Sequence, residues 1–280
     1  MTHSPKTWFI TGASSGFGAA FAAHALERGH NVVATARTVA KLADLAATAP
    51  DRVLALALDV DRADAAEAAV AKAVARFGRI DVLVNNAGFA VVGAIEETSD
   101  AELRAIMDTN FFGAMAVTRA ALPTLRAQRS GAVVNISSLG GQTSFAGFGA
   151  YSASKFALEG ASEALALEMA PFGVKVLIVE PGAFRTNLVG AAMREMPEIA
   201  AYRAVVGPTR GFSRAMNQTQ DGDPRKAAVA IEQALDAETT PLRLQLGTDA
   251  VDAVRAHAEA LLTDLKAWAP VAVATRFDPA

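Results

Sequence analysis

Apolar and polar positions follow one another along this chain in two rhythms. Short runs rich in Val, Ile and Leu are typical of strands buried on both faces. Longer Ala-rich stretches, with apolar residues every three or four positions, are typical of amphipathic helices. The pattern predicts strands at 7–11, 31–36, 53–58, 80–84, 132–137, 174–179 and 242–246, and helices at 16–28, 39–47, 62–77, 99–129, 150–171, 225–236 and 249–268.

Alternation of strands and helices predicts a single α/β domain over residues 1–280, with a Rossmann-type doubly wound, mostly parallel seven-stranded sheet and helices on both faces. Residues 183–223, about forty in number, exceed an ordinary connection and are predicted to form a substrate-binding loop. Residues 249–268 are predicted to form an amphipathic C-terminal helix, which either caps a cleft or forms an interface. Its apolar positions are Val251, Val254, Ala258, Leu261, Leu262 and Leu265.

Composition narrows the function classes. With 52% hydrophobic residues the chain can bury a sizeable core, and its net charge of −3 gives no footprint for nucleic acid or an anionic membrane. The absence of cysteine excludes disulfides and thiolate metal ligands, and the four histidines are scattered, so no metal site is predicted. Since no leader pattern or membrane-length apolar run is present, we expect a cytoplasmic protein.

A glycine-rich turn, "TGASSGFG", follows the first predicted strand. Gly12, Gly16 and Gly18 allow the backbone to turn sharply and approach a pyrophosphate, while the following helix N-terminus favours the anion. The turn therefore predicts a dinucleotide site, with Phe17 inside it.

The end of the second predicted strand indicates which dinucleotide binds. An acidic residue is typical of NAD sites at this point, but Ala36 occupies the position and Arg37 follows it. A guanidinium there, helped by the hydroxyls of Ser14 and Ser15, suits the 2′-phosphate of NADP(H). We therefore expect NADP(H) rather than NAD(H).

The other predicted strands also end in small, polar or turn-forming residues. Carboxyl ends of parallel strands form the ligand-binding edge of open α/β sheets, so these residues are candidates for the same site. They are Asp59, Val60, Asn86, Ala87, Gly88, Ser138, Pro181 and Gly182.

Tyr151 and Lys155 lie four residues apart in the predicted helix at 150–171, and so share one face. A fixed cation beside a phenol favours the ionised form and lowers the phenol's pKa. The pair is therefore a candidate for acid/base chemistry.

Together these motifs resemble the short-chain dehydrogenase/reductase family over residues 6–190. The resemblance rests on T-G-x-x-x-G-x-G at 11–18, Asp59, N-N-A-G at 85–88, Asn110, Ser138, Y-x-x-x-K at 151–155 and P-G-x-x-x-T at 181–186.

This resemblance implies roles for the matching residues. Tyr151 would transfer the substrate proton, Lys155 would lower the phenol's pKa and bind the nicotinamide ribose, and Ser138 would hold the carbonyl. Asn110 would position a water in a proton relay, although an Asn within a helix can equally bond a neighbouring carbonyl. Asp59 would contact adenine and Thr186 the carboxamide, with Phe184 lying between Gly182 and Thr186 in the cofactor segment.

The sequence is most similar to the subgroup with 17β-hydroxysteroid and retinol dehydrogenases, which implies an apolar ketone or alcohol. Candidate substrate contacts are Ser138, Gln142, Phe145, Phe148, Tyr151 and Met193. The family also implies a homodimer or homotetramer through the helices at 99–129 and 150–171.

These features favour an NADP(H)-dependent carbonyl reductase or alcohol dehydrogenase. Two alternatives stay open: a 3-oxoacyl reductase acting on acyl-carrier protein, and a non-catalytic NADP(H) sensor. The long loop and extra helix disfavour the first, because that substrate needs an open basic docking surface. The Ser138, Tyr151 and Lys155 set disfavours the second.

Overall fold

The computed structural model of this protein describes residues 5–277. Seven strands form one parallel sheet in the order β3-β2-β1-β4-β6-β7-β9, and two short strands, β5 and β8, form a second. The strands are β1 (Thr7–Ile10), β2 (Asn31–Ala36), β3 (Val53–Ala57), β4 (Val82–Asn85), β5 (Ala90–Val92), β6 (Ala132–Ile136), β7 (Lys175–Pro181), β8 (Met193–Glu195) and β9 (Arg243–Leu246). This confirms the predicted Rossmann-type sheet, and its order reverses between β1 and β4, where such sheets bind ligands.

Helices cover both faces of the large sheet. They are α1 (Gly16–Glu27), α2 (Ala43–Thr48), α3 (Ala63–Phe77), α4 (Asp100–Met107), α5 (Ala114–Gln128), α6 (Gly149–Met169), α7 (Arg203–Met216), α8 (Pro224–Asp236) and α9 (Thr248–Val273). Helices α1 and α8 pack on one face, and α3, α5 and α6 pack on the other.

Alternation along the strands divides the core into two layers. In β1, Trp8 and Ile10 face α1 and α8, whereas Phe9 faces the opposite helices. All three side chains are buried. Because the side-chain period of a strand is two, an unbroken apolar run supplies both layers at once.

Two predicted boundaries are wrong. The single helix expected over 99–129 is divided by a π-helical segment, Asp108–Gly113, between α4 and α5. The segment 183–223, expected as a loop, contains β8 and α7, and β8 pairs with β5 through Ala90 and Met193. Three-residue strands are too short to show a period, and the Pro208 within α7 weakened the helical signal in that segment.

The C-terminal helix α9 begins where predicted but extends to Val273. Ala250 is its buried residue, and the first turn packs near the end of β7, where Asp249 Oδ2 accepts a hydrogen bond of 2.7 Å from the Ala183 amide. The expected apolar face lies largely in solvent, with Leu265 64% exposed. Among the described helices, none has the length and apolarity that crossing a bilayer requires.

Candidate active site

The glycine turn between β1 and α1 leaves its backbone open to a ligand. Gly12 and Gly16 have φ of +66° and +55°, a conformation that side chains rarely adopt. A Cβ atom at Gly18 would lie only 2.3 Å from the Gly12 carbonyl oxygen. The turn thus fits a pyrophosphate cradle before the N-terminus of α1, because nothing larger than hydrogen is accommodated there.

A second turn, after β4, is tied to the glycine turn by hydrogen bonds. Thr11 Oγ1 accepts from the amides of Asn86 at 2.9 Å and Ala87 at 3.0 Å. In return Asn86 Nδ2 donates to the Thr11 carbonyl at 2.9 Å. Gly88 completes the turn against Asn110, whose Oδ1 would be 2.9 Å from a Cβ atom at Gly88.

The predicted nucleotide residues lie around these turns. Arg37 is exposed directly after β2, and its charge opposes the rise that burial causes in the pKa of Asp61. Ser15 is the exposed N-cap of α1 and Ser14 is half-buried beside it. Beyond β3, Asp59 is exposed and Val60 is buried. A cation, two hydroxyls and a carboxylate therefore surround the approach to the glycine turn.

Ser138, Tyr151 and Lys155 meet at the carboxyl end of β6. Ser138 is in extended conformation after the strand, and its Oγ accepts from the Gly140 amide at 3.0 Å. The Tyr151 ring is in van der Waals range of Gly140, and Lys155 Nζ donates to the Ile136 carbonyl at 2.8 Å. Lys155 Nζ also lies 5.8 Å from the Tyr151 ring centroid. The pair shares a helix face, as predicted from the four-residue spacing.

Burial dominates the electrostatics of this pair. Burial raises the pKa of Tyr151, and the Ser138 hydroxyl partly opposes that rise. Burial lowers the pKa of Lys155 to about 8, with Glu159 acting in the opposite direction. The pKa of Tyr151 therefore lies above its ordinary value, against the expectation that Lys155 lowers it, because burial of the phenol is the largest influence.

Asn110 lies in the π-helical segment and is 1% exposed. Its side chain accepts from the Phe89 amide at 3.0 Å, and donates to the Phe89 carbonyl and to Ser154 Oγ, each at 3.0 Å. Asn110 thus joins the turn after β4 to helix α6. Both amide protons of Asn110 are used in these bonds, and its Oδ1 accepts one, so the side chain holds the backbone that surrounds the site.

The segment after β7 closes the site from the other side. Phe184 packs on Phe17 with ring centroids 5.0 Å apart. Thr186 lies against the glycine turn, since its Cβ would be 3.2 Å from a Cβ atom at Gly16. Asp249 is close to Gly182 and accepts a hydrogen bond from the Ala183 amide. The contacts of Phe184 and Thr186 place the segment Pro181–Thr186 against the start of α1.

The predicted substrate contacts separate into two groups. Phe148 meets the Tyr151 ring edge-on at 6.1 Å, and Met193 packs in the same apolar cluster. Phe145 is 49% exposed. The Gln142 side chain donates a hydrogen bond of 3.0 Å to Glu159 Oε2. The structure places Phe148 beside the phenol and Met193 against the same apolar cluster, but it assigns Gln142 to a polar network.

Sequence reasoning missed an ion pair that holds residues 193–216, which we call the roof. Glu97 and Arg210 are buried and their side chains meet at 2.7 Å. Glu97 also accepts from the Ala94 and Ile199 amides at 2.7 and 2.8 Å, and Arg210 donates to the Met196 carbonyl. The two residues are 113 apart in sequence, so local patterns gave no signal.

A second missed network contains charged residues inside apolar runs. Glu180 lies in the strand "KVLIVEP" and is fully buried. Arg243 in β9 contacts both Glu159 Oε2 at 3.0 Å and Glu180 Oε1 at 3.2 Å. A carboxylate in such a run is a signal that sequence reasoning could have used, because a buried charge requires a partner.

Comparisons with known proteins identify the family. The sequence profile of the short chain dehydrogenases matches residues 6–197. The chain is 38% identical over 271 residues to oxidoreductase BOA17 of Botryotinia fuckeliana, covering 96% of this chain and 99% of that protein. It is 36% identical to a 3-ketodihydrosphingosine reductase of Bacteroides thetaiotaomicron, covering 95% and 94%.

A solved structure agrees along the whole length. A short-chain dehydrogenase from Streptomyces avermitilis superposes with a TM-score of 0.93 at 53% identity, covering 99% of this chain and 100% of that one. With the glycine turn, the Tyr151–Lys155 pair and these relatives together, the chain belongs to the short-chain dehydrogenase family and is an oxidoreductase of that type.

Proposed function

We propose that this oxidoreductase interconverts a ketone or aldehyde and an alcohol with NADP(H), using Tyr151 as the group that transfers the proton. The observation that carries the proposal is the convergence of Ser138, Tyr151 and Lys155 at the carboxyl end of β6, on the same edge of the sheet as the glycine turn. These three side chains come from the end of β6 and from α6, and Thr186 reaches over from the end of β7.

The cofactor would be held by the backbone of the glycine turn, the turn after β4 and the segment Pro181–Thr186. When bound, NADPH supplies the hydride, and its 2′-phosphate would meet Arg37 and Ser15 at the exposed entrance. Asp59 and Val60 would line the adenine end. The cradle that a Cβ atom would fill at Gly18 supports this placement.

Each catalytic side chain has a separate task at the substrate oxygen. Ser138 would hold that oxygen by hydrogen bonding, and Tyr151 would give its proton to it in the direction of reduction. Lys155, whose pKa burial lowers to about 8, carries the charge that would favour the phenolate once the proton has left. The buried setting strengthens each of these interactions because water is excluded.

An apolar substrate fits the surroundings of the phenol. Ala90, Val91, Ile106 and Met196 are buried around Tyr151, with Phe148 and Met193 at the edge of the cluster. The 3-ketodihydrosphingosine reductase relative is named for reduction of a ketone, which supports the same reaction class here. We therefore propose a medium-sized, mostly apolar carbonyl compound.

The test is absorbance decay of NADPH and, separately, NADH with steroid, aryl, aliphatic and 3-oxoacyl ketones. Tyr151→Phe should lose several orders of magnitude in kcat while retaining NADPH binding, since the fold and the cradle are unchanged. Tyr202→Phe is the matched control, because Tyr202 bonds Glu96 on the surface.

Other outcomes would decide between the alternatives. Turnover restricted to 3-oxoacyl thioesters would favour the acyl-carrier protein reductase. Tight NADPH binding with no turnover in any class, and no effect of Tyr151→Phe, would favour the sensor and contradict the proposal.

The assembly is proposed to be a homodimer or homotetramer through α5 and α6. Leu167 on α6 is 79% exposed, and Phe112 and Phe156 also present apolar surface beside these helices. Burying such side chains in an interface lowers the free energy of the assembly. Light scattering should show an oligomer for the wild type and a smaller species for Leu167→Glu; an unchanged mass would place the interface elsewhere.

A further inference from the structure

Polar side chains from four segments meet beneath the catalytic residues. Arg243 Nε lies 3.0 Å from Glu159 Oε2 and 3.2 Å from Glu180 Oε1. Gln142 Nε2 donates to Glu159 Oε2 at 3.0 Å, and Gln245 Nε2 donates to Glu180 Oε2 at 2.6 Å. The network therefore joins the turn that carries Ser138, helix α6, strand β7 and strand β9.

The charges of this network do not balance. Glu159 and Glu180 are both buried, and Arg243 is the guanidinium they share. Arg243 also contacts Glu163, which is exposed. The charge of the nearby buried Lys155 attracts Glu159, but its Nζ bonds the Ile136 carbonyl, and burial lowers its pKa to about 8, so this second cation is lost as the pH rises. One guanidinium between two buried carboxylates leaves a negative charge that burial makes costly.

Weakly partnered carboxylate oxygens show where a proton would reduce that cost. Among the described residues, Glu159 Oε1 is buried beside the Ser137 hydroxyl, and Glu180 Oε1 is buried with the Arg243 guanidinium at 3.2 Å, which it shares with Glu159. Carboxylate oxygens only accept hydrogen bonds, so two ionised carboxylates would leave acceptors unsatisfied. A proton on either carboxyl group supplies a donor and removes the excess charge.

We propose that Arg243 is a positioning residue, and that Glu159 and Glu180 hold one proton between them so that the network keeps the Ser138 turn, α6 and the Pro181–Gly182 strand end in register. Arg243 lies outside the family match at residues 6–197, and this role is distinct from the proton transfer at Tyr151. Its kinetic consequences rest on the proposed function.

Close packing transmits any movement of the network to Ser138. A Cβ atom at Gly141 would lie 2.4 Å from Ser137 Oγ and 3.0 Å from Glu159 Oε1, so the turn and the carboxyl group are in direct contact. The Gly141 amide also donates a hydrogen bond of 2.8 Å to the Ser138 carbonyl, which closes the short turn that Ser138 begins. Repulsion between Glu159 and Glu180 would therefore displace the residue that holds the substrate oxygen.

The titration of the pair agrees with this geometry. Burial raises the pKa of Glu180 to about 7 and also raises that of Glu159, while Arg243 opposes both rises. A carboxyl group in the unfolded chain titrates near pH 4.3. Between these values the folded protein binds more protons than the unfolded chain, so this group's contribution to stability falls as the pH rises from about 4.5 through about 7.

The first experiment compares Arg243→Met with the wild type from pH 6 to pH 9. Without the guanidinium, the carboxyl groups remain protonated at pH 6 but repel each other as they ionise. The ratio of kcat/KM, variant to wild type, should therefore fall on the order of tenfold across this range. Adding Glu180→Gln should restore the ratio at pH 9 to within roughly threefold. Arg225→Met, which breaks an exposed pair with Glu27, is the matched control and should give a constant ratio.

A second measurement needs neither turnover nor Arg243→Met. In the otherwise native chain, Glu180→Gln removes one buried carboxylate, so its Tm relative to the wild type should rise by about 3 °C between pH 5 and pH 8. Titrating groups that do not interact with Glu180 cancel in that difference, and the change at Glu159 is part of the shared titration.

Two results would overturn the inference. One is a loss in Arg243→Met that is independent of pH or unrelieved by Glu180→Gln, which would make Arg243 a packing residue only. The other is a Tm difference for Glu180→Gln that stays constant with pH. If no substrate turns over but the Tm difference changes as expected, the proposed function fails and the proton-sharing network stands.

Discussion

The glycine-turn side of the site and the roof are stabilised by different forces. On the glycine-turn side, Thr11, Asn86 and the backbone of Gly12–Gly18 are joined by uncharged hydrogen bonds and by contacts that leave no space for a methyl group. The roof is held by the buried Glu97–Arg210 pair. A turn fixed by backbone contacts tolerates no added side-chain atom. A segment held by an ion pair can instead change its conformation when the paired side chains are substituted.

Introducing the same methyl group on both sides gives the largest expected contrast. Gly18→Ala places a Cβ atom 2.3 Å from a backbone oxygen that cannot move aside, so NADPH affinity should fall by at least about tenfold. Gly211→Ala in the roof meets nothing within 4 Å and should stabilise α7 by about 0.5–1 kcal/mol. Isothermal titration with NADPH and thermal unfolding measure the two effects; equal losses would remove the contrast.

Breaking the buried ion pair tests the roof directly. Arg210→Met leaves Glu97 buried without its cation, so the free energy of unfolding should drop by about 2–3 kcal/mol and KM for the carbonyl substrate should rise. NADPH affinity should change little, because the glycine turn has separate supports. Adding Glu97→Leu removes the stranded charge and should recover part of the stability.

The control for that variant is Arg214→Met, whose pair with Glu195 is exposed. It should leave Tm and KM at wild-type values. An NADPH affinity that falls as much as KM rises in Arg210→Met would show that the two sides are not independent.

Cofactor discrimination tests the exposed rim of the glycine-turn side. Arg37→Ala should weaken NADPH by about 1.5–2 kcal/mol through loss of charge-assisted hydrogen bonds and leave NADH nearly unchanged. Dissociation constants from intrinsic fluorescence give the ratio. An equal loss for both cofactors would contradict a 2′-phosphate contact.

Lys155 is buried at the end of β6, where its Nζ bonds the Ile136 carbonyl. For this residue we expect the smallest change in stability. Because its pKa falls to about 8 in the folded protein and stays near 10.4 in the unfolded chain, the unfolded chain binds more protons between these values. Wild-type stability from this group therefore rises from about pH 8 to pH 10.4. Lys155→Met should be inactive yet about 1 kcal/mol more stable at pH 7, since loss of the Ile136 hydrogen bond offsets part of the gain.

Thermal unfolding at pH 7 and pH 10 checks that sign. The stability advantage of Lys155→Met should shrink at the higher pH, where the wild-type ammonium has lost its proton. An advantage that grows with pH would mean that the ammonium is favourably paired rather than desolvated.

Local patterns in the sequence predicted the sheet and the glycine turn because their causes are local. An apolar run such as "WFI" shows a strand without reference to distant residues, and "TGASSGFG" shows its own turn. Tyr151 and Lys155 share a helix face by spacing alone. The short-chain dehydrogenase family, recognised from these motifs, is confirmed by the profile match and by the relatives.

What could not be predicted depends on contacts between distant segments. The partners Glu97 and Arg210, or Glu159 and Arg243, become neighbours only after the chain has folded. The raised pKa of Tyr151 follows from burial depth, which the spacing of Tyr151 and Lys155 does not reveal. NADP(H) preference and the substrate contacts stay predictions.

The small parallel sheet of β5 and β8 has a consequence for how the chain folds. Its register joins Ala90 to Met193, so about one hundred residues must be brought together before the first of its hydrogen bonds forms. Closing so long a segment costs conformational entropy that two three-residue strands alone do not offset. The closure becomes favourable only after β6, α6 and β7 have formed and brought β5 and β8 close together. We therefore expect a refolding chain to acquire the glycine turn early and the roof late, so that the proposed nucleotide site exists before the apolar cluster around Tyr151 is complete.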